Sequence, residues 1–261
     1  MQSFGTILLL LLSSAALVLL GHVFRLLRWE QFIRIYEYPQ RRSLLRAMAG
    51  GYAVNFLLPF HVGDIVRAAI IGKKLKNGVA FSLAVIIIDR ILDVFVVAFI
   101  YGTIFFASGK NLMNFIFFTG FSALLLFFLW LSVTFSKRFK KCVLVFSSIF
   151  NTKIQLCILE FVWSFICTIR NTVKKIDKTK LVLRTLCMWS CYILSYLMYS
   201  NCLKNTSFVD VFNNLFSIDS YSPFVDYVRH GFSHYYFIFL LFNFLTCVSI
   251  IVVAFFERFK K

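Results

Sequence analysis

The sequence predicts an all-α, polytopic helical membrane protein, a single transmembrane domain over residues 1–261 with about five full spans and one re-entrant helical hairpin. Three observations carry this. Hydrophobic residues make up 60% of the chain and charged residues 15%, where a soluble domain is nearer 45–50% and 25%. The apolar residues are gathered into runs of about twenty, the length that crosses a hydrocarbon layer. The basic residues stand mostly between those runs. A soluble core of this size has no room for 34 phenylalanines, because much of a small protein's surface must still face water. A cytosolic enzyme, a secreted disulfide scaffold and a disordered tail are therefore excluded. There are 28 basic residues against 11 acidic ones, a net charge of +17. In this setting the excess reads as anchoring at the headgroup layer, and no nucleic-acid partner is expected. Seven cysteines form no CxxC pair and read as small apolar fillers. No metal set and no cofactor are expected.

In chain order, Phe4–Phe24 is the first span. A cleaved signal peptide fits less well, since no Lys or Arg precedes the apolar run. The stretch from Arg25 to Arg46 is basic, and reads as an interfacial helix with Trp29 and Tyr36 at headgroup level, ended near Pro39. Ala47–Phe60 is apolar but only about 21 Å long as a helix. It contains Gly50, Gly51, Asn55 and Pro59, and a second short apolar stripe follows from His61. Two half-length helices broken at Pro59–Gly63 predict a re-entrant hairpin over 47–76, with a tilted span plus a loop helix as the alternative. Gly50, Gly51, Pro59 and Gly63 are its candidate hinge and close-packing positions. Val79–Phe106 and Asn111–Phe135 are further spans. Residues 142–180 are apolar but patchy, and read as an amphipathic excursion on the cytoplasmic side, with one more span as the alternative. Leu181–Leu203 and His234–Phe256 complete the spans, separated by a polar stretch with Pro223 that forms an outer loop or lid.

Charge bias orients this layout. With the N-terminus outside and the C-terminus cytoplasmic, only Lys110, Lys204 and Arg229 stand in outer loops and Arg90 within the membrane. Nearly all other basic residues fall at the cytoplasmic face, as the positive-inside rule requires. The expected location is the inner (cytoplasmic) cell membrane.

Charge inside the spans marks the candidate site. Asp89 lies ten residues into its span, about 15 Å deep. Asp89 and Asp93 are one turn apart, and Arg90 and Asp93 can meet at a spacing of three. Ionised groups at that depth cost several kcal/mol unless paired or hydrated, so such segments turn them inward. A buried Arg90–Asp93 pair that only fixes packing is the structural alternative. In the broken segment, Asp64 and Arg67 share a face, with Arg67 offering a forked donor to a phosphate or carboxylate. A second helix starting near Gly63 would offer free N–H groups to an anion. Asn55 would bond to the broken backbone or to a headgroup. The candidate substrate-binding residues are thus Asn55, Asp64, Arg67, Asp89, Arg90 and Asp93; no catalytic residue is assigned. His61 reads as an interfacial hydrogen bonder.

Arg28–Trp29, then GGYAVNFLLPFHVGDIVRAAI, then a span opening with IIIDRILDV together resemble the lysylphosphatidylglycerol synthase transmembrane-region, or flippase-like, family. Its pattern falls on Gly51, Asn55, Pro59, Gly63, Asp64 and Arg67, then Asp89, Arg90 and Asp93. Trp189–Ser190 resembles a feature of a later span. The family usually has Glu where Asp64 and Asp89 stand. Toward the C-terminus SYSPFVDYVRHGFSH keeps Pro223 and Gly231, but lacks the family's glycine run and glutamate. The resemblance implies handling of membrane lipids or lipid-linked glycans. Fused members perform lipid aminoacylation with a soluble domain that this sequence does not contain, so that reaction is not expected of it.

The expected function is flippase-like transport or binding of an anionic phospholipid or lipid-linked sugar. The alternatives are a membrane glycosyl- or phosphotransferase on a lipid-linked substrate, and a non-catalytic partner of a lipid-modifying or glycan-assembly enzyme.

Overall fold

A computed structural model describes residues 4–57, 62–109, 112–134, 143–202, 208–209 and 212. Every regular element among them is a helix: α1 (Phe4–Arg34), α2 (Arg41–Leu57), α3 (Val62–Gly72), α4 (Gly78–Ser108), α5 (Leu112–Thr134), a short α6 (143–147), α7 (Thr152–Lys175) and α8 (Lys178–Cys202). The protein is an all-α membrane protein. By length and composition Leu12–Arg34, Thr152–Lys175 and Lys178–Asn201 can each cross a membrane. At 31 residues α4 is also long, but its middle carries Asp89, Arg90 and Asp93. Pro59, His61, the stretch from 220 to 231 and the expected last span lie outside the described residues.

The chain forms two compact units. One gathers the described residues of Met1–Arg34, Tyr38–Ile70 and Asp177–Lys261; the other gathers Ile35–Glu37 and Ile71–Ile176.

In the first unit α1 packs along α8 and also touches α2. The first span and the interfacial helix expected after Phe24 are one continuous helix, a correction to the sequence expectation. No proline or glycine stands between Phe24 and Arg34, so the helix continues into the basic stretch as far as Arg34. Its 31 residues reach about 46 Å, longer than the hydrocarbon layer. Trp29, expected at headgroup level, is fully buried among protein side chains. The α1–α8 pair is antiparallel: Ser14 meets Ser195 at one end and Gln31 meets Asp177 at the other. Ser14 Oγ and Ser195 Oγ are 2.8 Å apart, and each hydroxyl has the other residue's carbonyl within reach, at 3.1 and 3.0 Å, so two protons serve three acceptors. Two small residues let the backbones approach, and the hydroxyls are satisfied without water. Gly21 performs the same spacing role, since a Cβ there would lie 2.5 Å from Tyr192 Cε1. Arg184 donates to the Leu27 carbonyl (2.8 Å) and to Gln31 Oε1 (2.9 Å).

Asp177 caps α8. Its carboxylate accepts from the Lys180 backbone N–H at 3.1 Å and pairs with Lys180 Nζ at 3.0 Å. The backbone hydrogen bond first, then the bond and charge of the lysine, hold its pKa below the ordinary carboxylate value.

α2 and α3 lie against each other as a helical hairpin. The fit is tight: a Cβ on Gly63 would overlap the Gly51 carbonyl oxygen, and one on Gly50 would lie 2.7 Å from Ile70 Cδ1. Of the four predicted hinge positions, Gly51 and Gly63 are thus points where helix backbones approach closely, and Gly50 makes room for the Ile70 side chain.

In the second unit α4 packs on α5 and α7, and α5 touches α7. Aromatic stacking joins α4 to α5, with Tyr101 on Phe118 (5.2 Å) and Phe105 on Phe115 (5.5 Å). Gly109 takes φ 67° and ends α4, returning its N–H to the Phe105 carbonyl at 2.7 Å. Tyr36 packs edge-on against Phe81 and donates to the Thr168 carbonyl at 3.0 Å. Glu37 secures the turn before α4 by accepting from the Lys76 and Asn77 N–H groups at 3.0 and 3.4 Å. α7 buries Ile166, Thr168, Ile169 and Thr172 on one stripe, while Lys153, Glu160 and Lys174 on it are exposed.

Candidate functional site

The predicted residues of the broken segment meet in the first unit. Asn55, near the end of α2, accepts the Gly63 N–H through Oδ1 at 2.7 Å. This satisfies one of the donors that a helix start leaves over, so the N–H expected to await an anion at Gly63 is already engaged. Asn55 therefore bonds to backbone, one of the two roles its position allowed. Asp64 follows in the first turn of α3, where a carboxylate complements the helix dipole.

Arg67 stands one turn later and is 1% exposed. Its Nη2 is 3.8 Å from Asp64 Oδ1, a spacing of three along the helix. Its guanidinium carbon lies 4.7 Å from the ring centroid of Trp29 on α1. A desolvated cation over an indole face gains about 2 kcal/mol, which offsets much of the 2.5–3.5 kcal/mol that insertion scales assign to an arginine mid-membrane. Gly51 shapes the other side: a Cβ there would meet Arg67 Cβ at 3.0 Å and the Gly63 carbonyl at 2.8 Å. The glycines thus let α3 lie close enough for the Arg67 stem to run along α2.

The second unit holds the other predicted group. Asp89 is 0% and Asp93 7% exposed. They lie on the buried stripe of α4 that includes Ser82, Ile86, Val97 and Ile100, at helical spacing. Arg90 is offset to the flank, with a side chain 27% exposed and Nη1 3.9 Å from Asp93 Oδ2. The carboxylates are thus the inward groups and Arg90 a partly open neighbour. Arg67 belongs to one compact unit and Arg90 to the other.

In the first unit several buried polar groups had no role assigned from sequence. Arg28 and Glu30 are buried at 0% and 3%. Glu30 Oε1 accepts from Arg34 at 2.7 Å and from Arg41 at 3.2 Å, so it gathers basic residues of α1 and α2. His22 joins three helices: Tyr52 Oη on α2 and Tyr192 Oη on α8 lie 3.1 and 3.0 Å from its Nδ1. Nothing in the sequence marked these tyrosines, because their partner is 30 and 170 positions away. Trp29 had a signal, its place beside Arg28 in the quoted motif, but its contact with Arg67 needed the fold. Among the described residues no cluster of His, Cys, Asp and Glu could hold a metal ion.

Comparison with known proteins adds one finding. The family model of the lysylphosphatidylglycerol synthase TM region matches residues 2–207, a stretch that contains every candidate site residue. No curated protein and no solved structure matches the chain.

Proposed function

The chain belongs to the lysylphosphatidylglycerol synthase TM-region family, which ties it to membrane lipids, and from that premise we propose that it is a flippase-like transporter of an anionic phospholipid or lipid-linked sugar. The observation that carries this reading is Arg67: a guanidinium 1% exposed, held in a helical hairpin between Asp64 and the Trp29 ring. Arginine in a membrane helix is costly and marks substrate paths. A planar fork of donors suits phosphate and carboxylate. In this reading Arg67 holds the headgroup within its unit, where Asp64 orients it and Asn55 with Gly51 and Gly63 keeps the hairpin closed behind it. Within the other unit Arg90 is a headgroup contact in its own right, and Asp89 and Asp93 orient it or accept a cationic group. Short helices broken near mid-membrane are the arrangement transporters use to bring polar groups to such depth. The headgroup crosses along the polar residues while the tails stay in lipid. The protein acts in the cytoplasmic membrane, N-terminus outside.

The test is reconstitution of the full chain into liposomes with a fluorescent phosphatidylglycerol, followed by quenching of the outer leaflet. The wild type moves label between leaflets. A charge-assisted hydrogen bond is worth about 1.5–3 kcal/mol, so Arg67→Ala and Arg90→Ala each slow exchange by about tenfold or more while inserting normally. Exchange at the wild-type rate in both variants would falsify the transport reading.

A further inference from the structure

We infer that Trp29 is a second ligand-binding residue, and that Trp29 with Arg67 forms a donor-only site for the oxygens of a lipid phosphate. The inference rests on the binding half of the proposal above and narrows the headgroup to its phosphate.

Trp29 is fully buried, yet its indole Nε1–H has no hydrogen-bond partner among the described residues. Buried tryptophan N–H groups ordinarily find an acceptor, and each exception needs a cause. The indole can only donate, and a guanidinium can only donate. The two lie together, with the guanidinium carbon 4.7 Å from the ring centroid. The ring is therefore near enough to Arg67 for one phosphate group to accept from both. What such a pair calls for is a ligand rich in acceptors, and a phosphate supplies several oxygens around one centre. Stacking contributes separately. The ring holds the guanidinium by a cation–π contact on one side of Arg67, so a phosphate reaches it from another. Asp64, 3.8 Å from Arg67 Nη2, adds a negative charge on the same side chain's flank. It opposes a second negative charge on the ligand, which favours a singly charged phosphodiester.

Native mass spectrometry of the full chain in detergent tests this with three probes: phosphatidylglycerol, a polyprenyl phosphate, and diacylglycerol as a phosphate-free control. The wild type binds at least one phosphate lipid, and diacylglycerol about tenfold or more weakly. Trp29→Phe keeps an aromatic face and drops the N–H, so it weakens phosphate-lipid binding about tenfold and leaves diacylglycerol unchanged. Trp29→Leu, which also loses the stacking, weakens it further. Equal losses for both phosphate lipids support the shared phosphate as the ligand; a loss for one alone supports that lipid as its source. If Trp29→Phe fails to fold, benzothienylalanine at position 29 keeps the ring shape without the N–H and gives the same readout. Phosphate-lipid binding at wild-type strength in these variants, or diacylglycerol bound as tightly as phosphatidylglycerol, overturns the inference. Trp29-dependent binding without any leaflet exchange sinks transport alone and leaves this site standing.

Discussion

A methyl group at position 63 would run into the carbonyl of Gly51 and the carboxamide of Asn55. Neither can move freely, because one is helix backbone and the other is engaged with the Gly63 N–H. Gly63→Ala should therefore separate α2 from α3 and cost about 1–3 kcal/mol, the usual penalty of overpacking. Gly120 offers the opposite case, with nothing within 4 Å of the position its Cβ would take. Gly120→Ala should be neutral or gain up to about 1 kcal/mol by restricting the unfolded chain. Thermal unfolding in one detergent compares the two, and the expected order is Gly63→Ala below wild type, and Gly120→Ala at or above it. At this scale the sequence was informative about residue type and less so about partner. Asp64 and Arg67 were legible as a pair because three residues on a helix is a fixed geometry. Trp29 and Arg67 were not, because 38 positions separate them and only packing of α1 against the hairpin brings them together.

Among the elements, the α1–α8 pair rests on small residues and reciprocal hydroxyl bonds. Lipid is as apolar as leucine, so association in a membrane depends on close packing and on hydrogen bonds between helices. The Ser14–Ser195 contact supplies both. A double-mutant cycle of Ser14→Ala and Ser195→Ala should give a coupling of about 0.6 kcal/mol, the average for such bonds in membranes. Unfolding in mixed micelles reads it; additive losses would mean that the serines act only through their size. The length of α1 was misread at this scale. Its composition changes at Phe24 from apolar to basic, and composition marks where a helix leaves the lipid rather than where it ends. Helix ends follow breakers, and the first one is Pro39. The buried stripe of α4 was read correctly: Asp89 and Asp93 one turn apart fall on the inward face with Ile86 and Val97.

For the whole molecule, the question is which face of the membrane each connection meets. In the first unit the end of α1 and the start of α8 lie together, through Gln31 with Asp177 and Arg184 with Leu27. Both ends are basic, with Arg34 on one and Lys178 and Lys180 on the other. The positive-inside rule assigns them to the cytoplasm. Single cysteines at positions 42 and 178, in a chain otherwise free of cysteine, should both resist a membrane-impermeant label added to intact cells. The excursion proposed for 142–180 makes a further demand. A cysteine at Ile149, an exposed position before α7, should be protected as well. Labelling at 149 from outside would make α7 a full crossing, for which its 24 residues are long and apolar enough.

The sequence by itself determined the membrane class, the helical architecture, the family pattern and the rows of charge that ought to turn inward. Each of these depends on composition or on spacings within one helix, where geometry is fixed by a rise of about 1.5 Å per residue. Tertiary structure decided what the charges meet. The Trp29 face on Arg67, the Asn55 cap on Gly63, the His22 bridge between Tyr52 and Tyr192 and the paired serines all join residues on different helices. Periodicity cannot supply such contacts, because the approach of two helices is set by which side chains are small enough to let them close.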